Sequence, residues 1–304
     1  MTRHIEQPAS IQKISVKGAL SRDVVAGLDG HSRLHLELLE RSGWDGTGLE
    51  LLPLIGDVVA HLTVEHSRTI DASVVQELEG LETLALEGGL KGTIDLSNLA
   101  LQGLSLRTRP GRFNITGRSS LLRRIGGFVD SATMQACAAG GSIEAITLVK
   151  SAIDELPPAE QLLELKVLQL IDLKQIRTIS SALQSTSLQY VRATSCRSLD
   201  VSTNAVSGQL KYIALNNIGT ITSLDLFKAS KDLQVVSLLG DTVVADGRID
   251  EFVRSKHLRH LRITIKKCYD IALADVPVDT TTELRLVREL EALSGIHGGG
   301  VEEK

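Results

Sequence analysis

LETLAL at 81–86, IEAITL at 143–148, LKVLQL at 165–170, LKYIAL at 210–215, LQVVSL at 233–238 and LRHLRI at 258–263 share one pattern: apolar, two variable, apolar, one variable, apolar. Looser copies are VAHLTV from Val59, LQGLSL from Leu101 and LQYVRA from Leu188, with a degenerate LRRIGG from Leu122. IQKISV from Ile11 and HSRLHL from His31 are two further candidates upstream. From Val59 to Leu258 successive copies start 22, 20, 21, 21, 22, 23, 22, 23 and 25 residues apart. Leucine enrichment alone does not hold so even an interval, whereas a repeated structural unit does.

Side chains alternate across a strand, so the last two apolar positions of each hexapeptide face one way and the variable ones the other. Leu168 and Ile213 are thus expected inside, and Gln169 outside. One such unit cannot close a core, but stacked units bury their leucines against each other. Composition agrees: 42% of residues are hydrophobic but only 3% aromatic, which suits thin aliphatic layers. Strands stacked in parallel about 4.8 Å apart would make ten to twelve units an array of about 50 Å.

Unit length and the LxxLxL core resemble the leucine-rich-repeat family over roughly residues 11–266. The resemblance implies an α/β solenoid: a horseshoe with a parallel β-sheet on its concave face. Short helices and irregular segments would share the convex face. DASVVQELEG at Asp71, ISSALQS at Ile179 and RIDEFVRSK at Arg248 read as short helical turns, while GTIDLSN at Gly92 reads as extended. Where the family places asparagine, this chain has Gly89, Ser151, Leu173, Cys196, Ile218 and Asp241, so a continuous asparagine ladder is not expected.

The expected organisation is an N-terminal cap with degenerate repeats over 1–58, repeats over 59–266, a C-terminal cap over 267–296 and a disordered tail over 297–304. TTTELRLVRELEALSG supplies the capping helix, with N-cap candidates Thr280 to Thr282, apolar Leu286, Leu290 and Leu293 at helical spacing, and Gly295 to stop it. Trp44, in the turn-rich SGWDGTG, is expected to be a packing anchor.

The chain is expected to bind rather than catalyse. It carries none of the sequence signatures GxSxG, HExxH or GxxxxGK[ST], and no GxGxxG following a strand. EGGLKGT near Gly88 lacks the Lys–Ser/Thr ending of a phosphate loop and reads as a turn. The histidine pairs His31/His35, His61/His66 and His257/His260 have no cysteine or carboxylate at ligand spacing, so no metal or cofactor is expected. Cys137, Cys196 and Cys268 are three and widely spaced, which fits a reducing compartment. MTRHIEQPASIQKIS has no signal-peptide core, and no apolar run reaches membrane-spanning length, so a cytoplasmic location is expected.

In the family, the variable positions look out from the concave face toward a partner. The resemblance therefore implies partner-binding roles for Tyr190, Arg192, Tyr212, Asn216, Asn217, His260 and Arg262. Tyr190 and Tyr212 hold the same outward position in adjacent units, and tyrosine and arginine are enriched in interface hot spots; two tyrosines packing on each other over a β surface is the plainer alternative. The implied function is a non-enzymatic protein-binding module, an inhibitor or immunity-type protein that blocks a toxin or enzyme. The alternative is nucleic-acid association through two stretches without acidic residues. One, within 107–124, includes Arg107, Arg109, Arg112 and Arg124; the other runs over 254–267. Net charge of −4 and the scarcity of aromatics speak against it.

Overall fold

The computed structural model describes residues 11–31, 33–108, 113–117, 119–140, 142–202, 206–254 and 258–295. The chain divides into two compact units, Met1–Leu121 and Leu122–Lys304. Both are solenoid-like stacks of short parallel strands with few, short helices.

In the first unit the strands are β1 (Gln12–Ser15), β2 (Leu34–Leu39), β3 (Val59–Asp71), β4 (Thr83–Asp95), β5 (Gly103–Thr108) and β6 (Phe113–Thr116). They pair in parallel in the order β1-β2-β3-β4-β5, and the far half of β4 pairs with β6. Both upstream candidates are therefore strands of the stack. The register holds Leu36, Leu62, Leu84 and Leu104 on one line and Leu38, Val64, Leu86 and Leu106 on or beside the next, all buried. Each such side chain contributes about 1.5–3 kcal/mol relative to exposure, and none can do so without the unit beside it. A short helix, α1 (Arg22–Leu28), is capped by Ser21. Trp44 is buried, donates from Nε1 to the Thr47 carbonyl and meets His66 edge-on. Gly88 in EGGLKGT has φ 101°, and a Cβ there would lie 2.1 Å from the His66 carbonyl oxygen. That close approach and the positive φ are why position 88 takes glycine, within β4.

The second unit contains β7 (Arg124–Gly127), α2 (Ser131–Ala138), β8 (Ala145–Val149), β9 (Val167–Ile171), α3 (Ser180–Leu183), β10 (Tyr190–Thr194) and β11 (Tyr212–Asn216). It continues through β12 (Thr220–Ile221), β13 (Val235–Leu238), β14 (Val243–Val244), α4 (Asp250–Val253), β15 (His260–Ile263) and α5 (Thr280–Ser294). The main sheet here runs β7-β8-β9-β10-β11-β13-β15, all parallel, and β12 pairs with β14. Leu168, Val191, Ile213, Val236 and Leu261 form one inward line, and each is at most 2% exposed. ISSALQS and RIDEFVRSK do form single helical turns, α3 and α4, while GTIDLSN is strand followed by a 3-10 turn.

Side chains also join the units of the stack. Ser185 Oγ donates to the carbonyls of Leu163 and Leu165, Ser207 to Thr186, and Ser230 to Ser207. Each serine stands three residues before a strand-leading leucine (Leu188, Leu210, Leu233) and serves a carbonyl the stack buries. At the family's asparagine position Ser151 does similar work: it accepts from the Val129 N–H and donates to the Gly127 carbonyl. Thr242 bridges Ile218 and Leu215 in the same manner.

Candidate functional site

Between the inward lines, the second unit presents two outward rows. The first, in strand register, is Ala145, Val167, Tyr190, Tyr212, Val235 and His260. Arg124 extends it on β7. The second is Thr147, Gln169, Arg192, Ala214, Ser237 and Arg262. The first row is thus apolar in its middle and polar at both ends.

Helix α5 lies on that row. Leu286 and Leu290 are buried in one cluster with Ala145, Val167, Tyr190, Tyr212, Ala214 and Val235, and Val287 packs against it. A 15-residue helix is about 22 Å long, the width of roughly five strands. Its polar ends meet the polar ends of the row. At the start, Asp279 caps the helix by accepting from Thr282, while its own N–H donates to His260 Nδ1 at 3.0 Å. Glu283 pairs with Arg262 at 3.1 Å and lies 3.2 Å from His260 Nε2 without hydrogen-bond geometry. At the far end Arg124 lies against Gly295, which closes the helix at φ 60°, and a cation there suits the helix C-terminus. Midway, the Tyr190 hydroxyl donates to Glu289, and Arg285 reaches both Glu289 and Gln234. Burial, reinforced by the Glu289 carboxylate, pushes the Tyr190 phenol well above its ordinary value; burial raises Tyr212 as well.

Several expectations need correction. Tyr190, Tyr212 and His260 are 1%, 5% and 3% exposed, so they do not stand open to a partner; the tyrosines do sit side by side, under the chain's own helix. The helix expected to cap the array end covers the strand face instead, touching β8, β9 and β15. Its N-cap is Asp279 rather than a threonine, and Leu293 is 37% exposed. Gln169, expected outside, is buried. Asn216 Oδ1 accepts from Ser237 and from the Leu239 N–H, tying β11 to the next unit. Asn217 Oδ1 accepts from the Asp241 N–H. Arg192 is half-buried and Arg262 exposed but paired.

Of the basic residues, Arg107 pairs with Glu87 at 3.7 Å, and Arg124 serves the helix end. Arg109 and Arg112 lie outside the described residues. In the second stretch Arg254 pairs with Asp250 and Lys266 donates to the Gly240 carbonyl.

The matching rows of the first unit have a different character. They read Lys13, His35, His61, Thr83, Gly103 and then Ser15, Glu37, Thr63, Ala85, Ser105. None of these ten is buried. The His35 and His61 rings are 5.7 Å apart, and hydrogen bonds join them to Thr63 and Thr83. Partial burial holds both imidazoles below their ordinary pKa, which favours the neutral form at pH 7. Around them Lys13 pairs with Glu37 at 2.6 Å and Arg41 with Glu65 at 3.1 Å, so the rim's charges cancel locally.

A third feature escaped the sequence reading. In four successive repeats of the second unit the strand ends on a non-glycine residue in the left-handed region: Lys150 (φ 48°), Asp172 (φ 54°), Ser195 (φ 57°) and Asn217 (φ 50°). Gly240 takes the same place in the repeat that follows. For residues with a Cβ this conformation costs about 1–2 kcal/mol, less for Asn and Asp.

Cys137 and Cys196 are buried, and burial pushes the Cys137 thiol up to about 12, far from thiolate chemistry at neutral pH. Among the described residues no three His, Cys, Asp or Glu side chains gather as a metal set, and no helix is long and apolar enough to cross a membrane. No protein-family model matches the chain, and no curated protein matches it in sequence.

Proposed function

We propose that this chain is a non-enzymatic protein-binding module of the leucine-rich-repeat kind, acting by occupying its partner as an inhibitor or immunity-type protein does. In this reading the strand face is the inner side of a horseshoe. The supporting observation is α5: the chain itself lays an amphipathic helix across its outward strand face, using an apolar row for area, the Glu283–Arg262 pair at its start and Arg124 at its C-terminal end for register. A face that holds one helix this way is chemically suited to receive protein surface.

Because α5 fills the second unit's face, the partner contacts fall on the first unit's rows, chiefly His35, His61, Thr63 and Thr83. Their side chains are partly exposed and sit on rigid strands, so ordering them on binding costs little. Basic residues that already pair with Glu87, Asp250 and Glu283 give little support to a nucleic-acid role.

The test is photo-crosslinking in the native cell. A crosslinking residue at Thr63 or Thr83 captures a discrete protein, and Thr63→Arg combined with Thr83→Arg abolishes co-purification of that protein while the melting temperature holds. A partner retained undiminished by the doubly substituted, folded chain refutes the site. Crosslinks confined to other surfaces do the same.

A further inference from the structure

We infer that the carboxyl ends of strands β8–β11 form a binding groove for a small polyanion of the phosphate type. The inference stands apart from the partner-binding reading and uses none of its residues.

Two adjoining hollows run along these strand ends. One, of about 530 Å³, is lined by Asp172, Lys174, Ser195, Arg197, Ser198 and Asn217. The other, of about 350 Å³, is lined by Lys150 to Ala152, Asp172, Lys174 and Gln175. They share Asp172 and Lys174, so they form one continuous groove. Their size is that of small-molecule sites, and the carboxyl ends of parallel strands are where open α/β sheets seat ligands.

The four left-handed residues are the groove's own wall. Lys150, Asp172, Ser195 and Asn217 all line it, and glycine takes the same place in the next repeat, at Gly240. Glycine would be the less strained choice at each rung. Lysine and serine are the least suited of the four to this conformation. Side chains are therefore kept where the backbone disfavours them, and only along the groove.

Charge gives the ligand's chemistry. Lys150, Lys174 and Arg197 set three cations against the single carboxylate of Asp172. None of the three cations has a side-chain hydrogen bond or ion pair among the described residues, so all three are free to meet a ligand. The hydroxyl of Ser195 on the rung beside Asp172 adds a neutral donor. Three cations and the Ser195 hydroxyl, spread over strand ends roughly 5 Å apart, suit a chain of phosphate groups, each bearing several acceptor oxygens.

Titration calorimetry of the full chain with inorganic triphosphate in low salt tests this. Saturable one-to-one binding is expected, weakening steeply as salt is raised. Lys174→Ala and Arg197→Ala should each weaken it at least about tenfold, since each removes a charge-assisted contact. Asp172→Asn, whose amide tolerates the left-handed backbone, should tighten it severalfold by removing repulsion. Lys231→Ala, an exposed lysine at the other end of β13, should leave it unchanged. The proposal is overturned by an absence of saturable heat, by Lys174→Ala and Arg197→Ala chains that bind as the parent does, by weaker binding in Asp172→Asn, or by citrate competing as well as triphosphate.

Discussion

Replacing Leu286 by alanine tests whether α5 is a docked cover or part of one cooperative core. Leu286 is 0% exposed and packs among Val167, Tyr190, Tyr212 and Val235. A Leu→Ala change at such a site removes transfer energy and leaves a cavity, together about 3 kcal/mol. The strands beneath keep their own inward core of Leu168, Val191, Ile213 and Val236, which α5 does not touch. The loss therefore falls on the docking equilibrium of the helix. At 1.4 kcal/mol per decade, 3 kcal/mol raises the undocked population roughly a hundredfold. Hydrogen exchange read by mass spectrometry reports this directly: amides of 283–294 should exchange about a hundredfold faster while those of β9, β10 and β11 keep their protection. Leu284→Ala, on the outer side of the same helix where the side chain is 58% exposed, should change neither by more than about 0.5 kcal/mol. If the strands lose protection together with α5 and by the same factor, the helix belongs to a single cooperative unit and the reasoning fails. If α5 keeps its protection, the packing itself is wrongly assigned.

Two further outcomes follow from the same geometry. Docking of α5 should hold between mildly acidic and mildly alkaline pH and weaken on both sides. The hydrogen bond from Tyr190 holds Glu289 below its ordinary 4.5, so that contribution is present above 4.5 and lost as pH falls through the lowered value. Burial raises Tyr190 above 10, so its contribution is intact below 10 and lost as pH climbs through the raised value; tyrosine absorbance reads the alkaline limb and hydrogen exchange of 283–294 the acid one, and a flat profile contradicts the contact. In the first unit, Leu84→Asp should cost several kcal/mol by burying an unpaired charge, while Ala85→Asp, on the outward side, should stay within about 1 kcal/mol by urea denaturation. Equal losses would reverse the assigned facing.

The strands were legible because their signal is local: LxxLxL fixes which side chains turn inward, and the register at Leu168, Val191 and Ile213 follows from it. The serines at 185, 207 and 230 also recur, at intervals of 22 and 23, but they fall outside the hexapeptide that defines the repeat, and reading that hexapeptide alone misses them. What failed was the environment of the variable positions. Val167, Tyr190, Tyr212 and Val235 form an apolar line, and α5 carries Leu286 and Leu290 at matching spacing, yet each pattern alone fits a free surface or an end cap. Only their meeting across about a hundred residues identifies a buried interface. The left-handed series was hidden for another reason: Asn217 and Asp172 are residues that favour that conformation, but Lys150 and Ser195 are not, so no composition rule marks the set.

The row chemistry explains why, among the described residues, one strand face is covered and the other is not. In the second unit the middle of the row is aliphatic and aromatic, and leaving it in water would expose a contiguous apolar patch of the kind that drives association. Its ends, Arg124 and His260, match a helix whose start carries Asp279 and Glu283 and whose end leaves carbonyls free. In the first unit the row is Lys13, His35, His61, Thr83 and Gly103; His35 bonds Thr63 and His61 Nδ1 bonds Thr83, while His61 Nε2 has no partner among the described residues. A helix like α5 would gain little there, because its leucines would desolvate imidazoles and hydroxyls without replacing their bonds. A surface that matches those rows must bring polar groups of its own. The helix on the second unit supports the view that a strand face of this stack takes up protein surface, while the rows of the first unit ask for a more polar one, and the binding reading stands or falls on polar complementarity at His35, His61, Thr63 and Thr83.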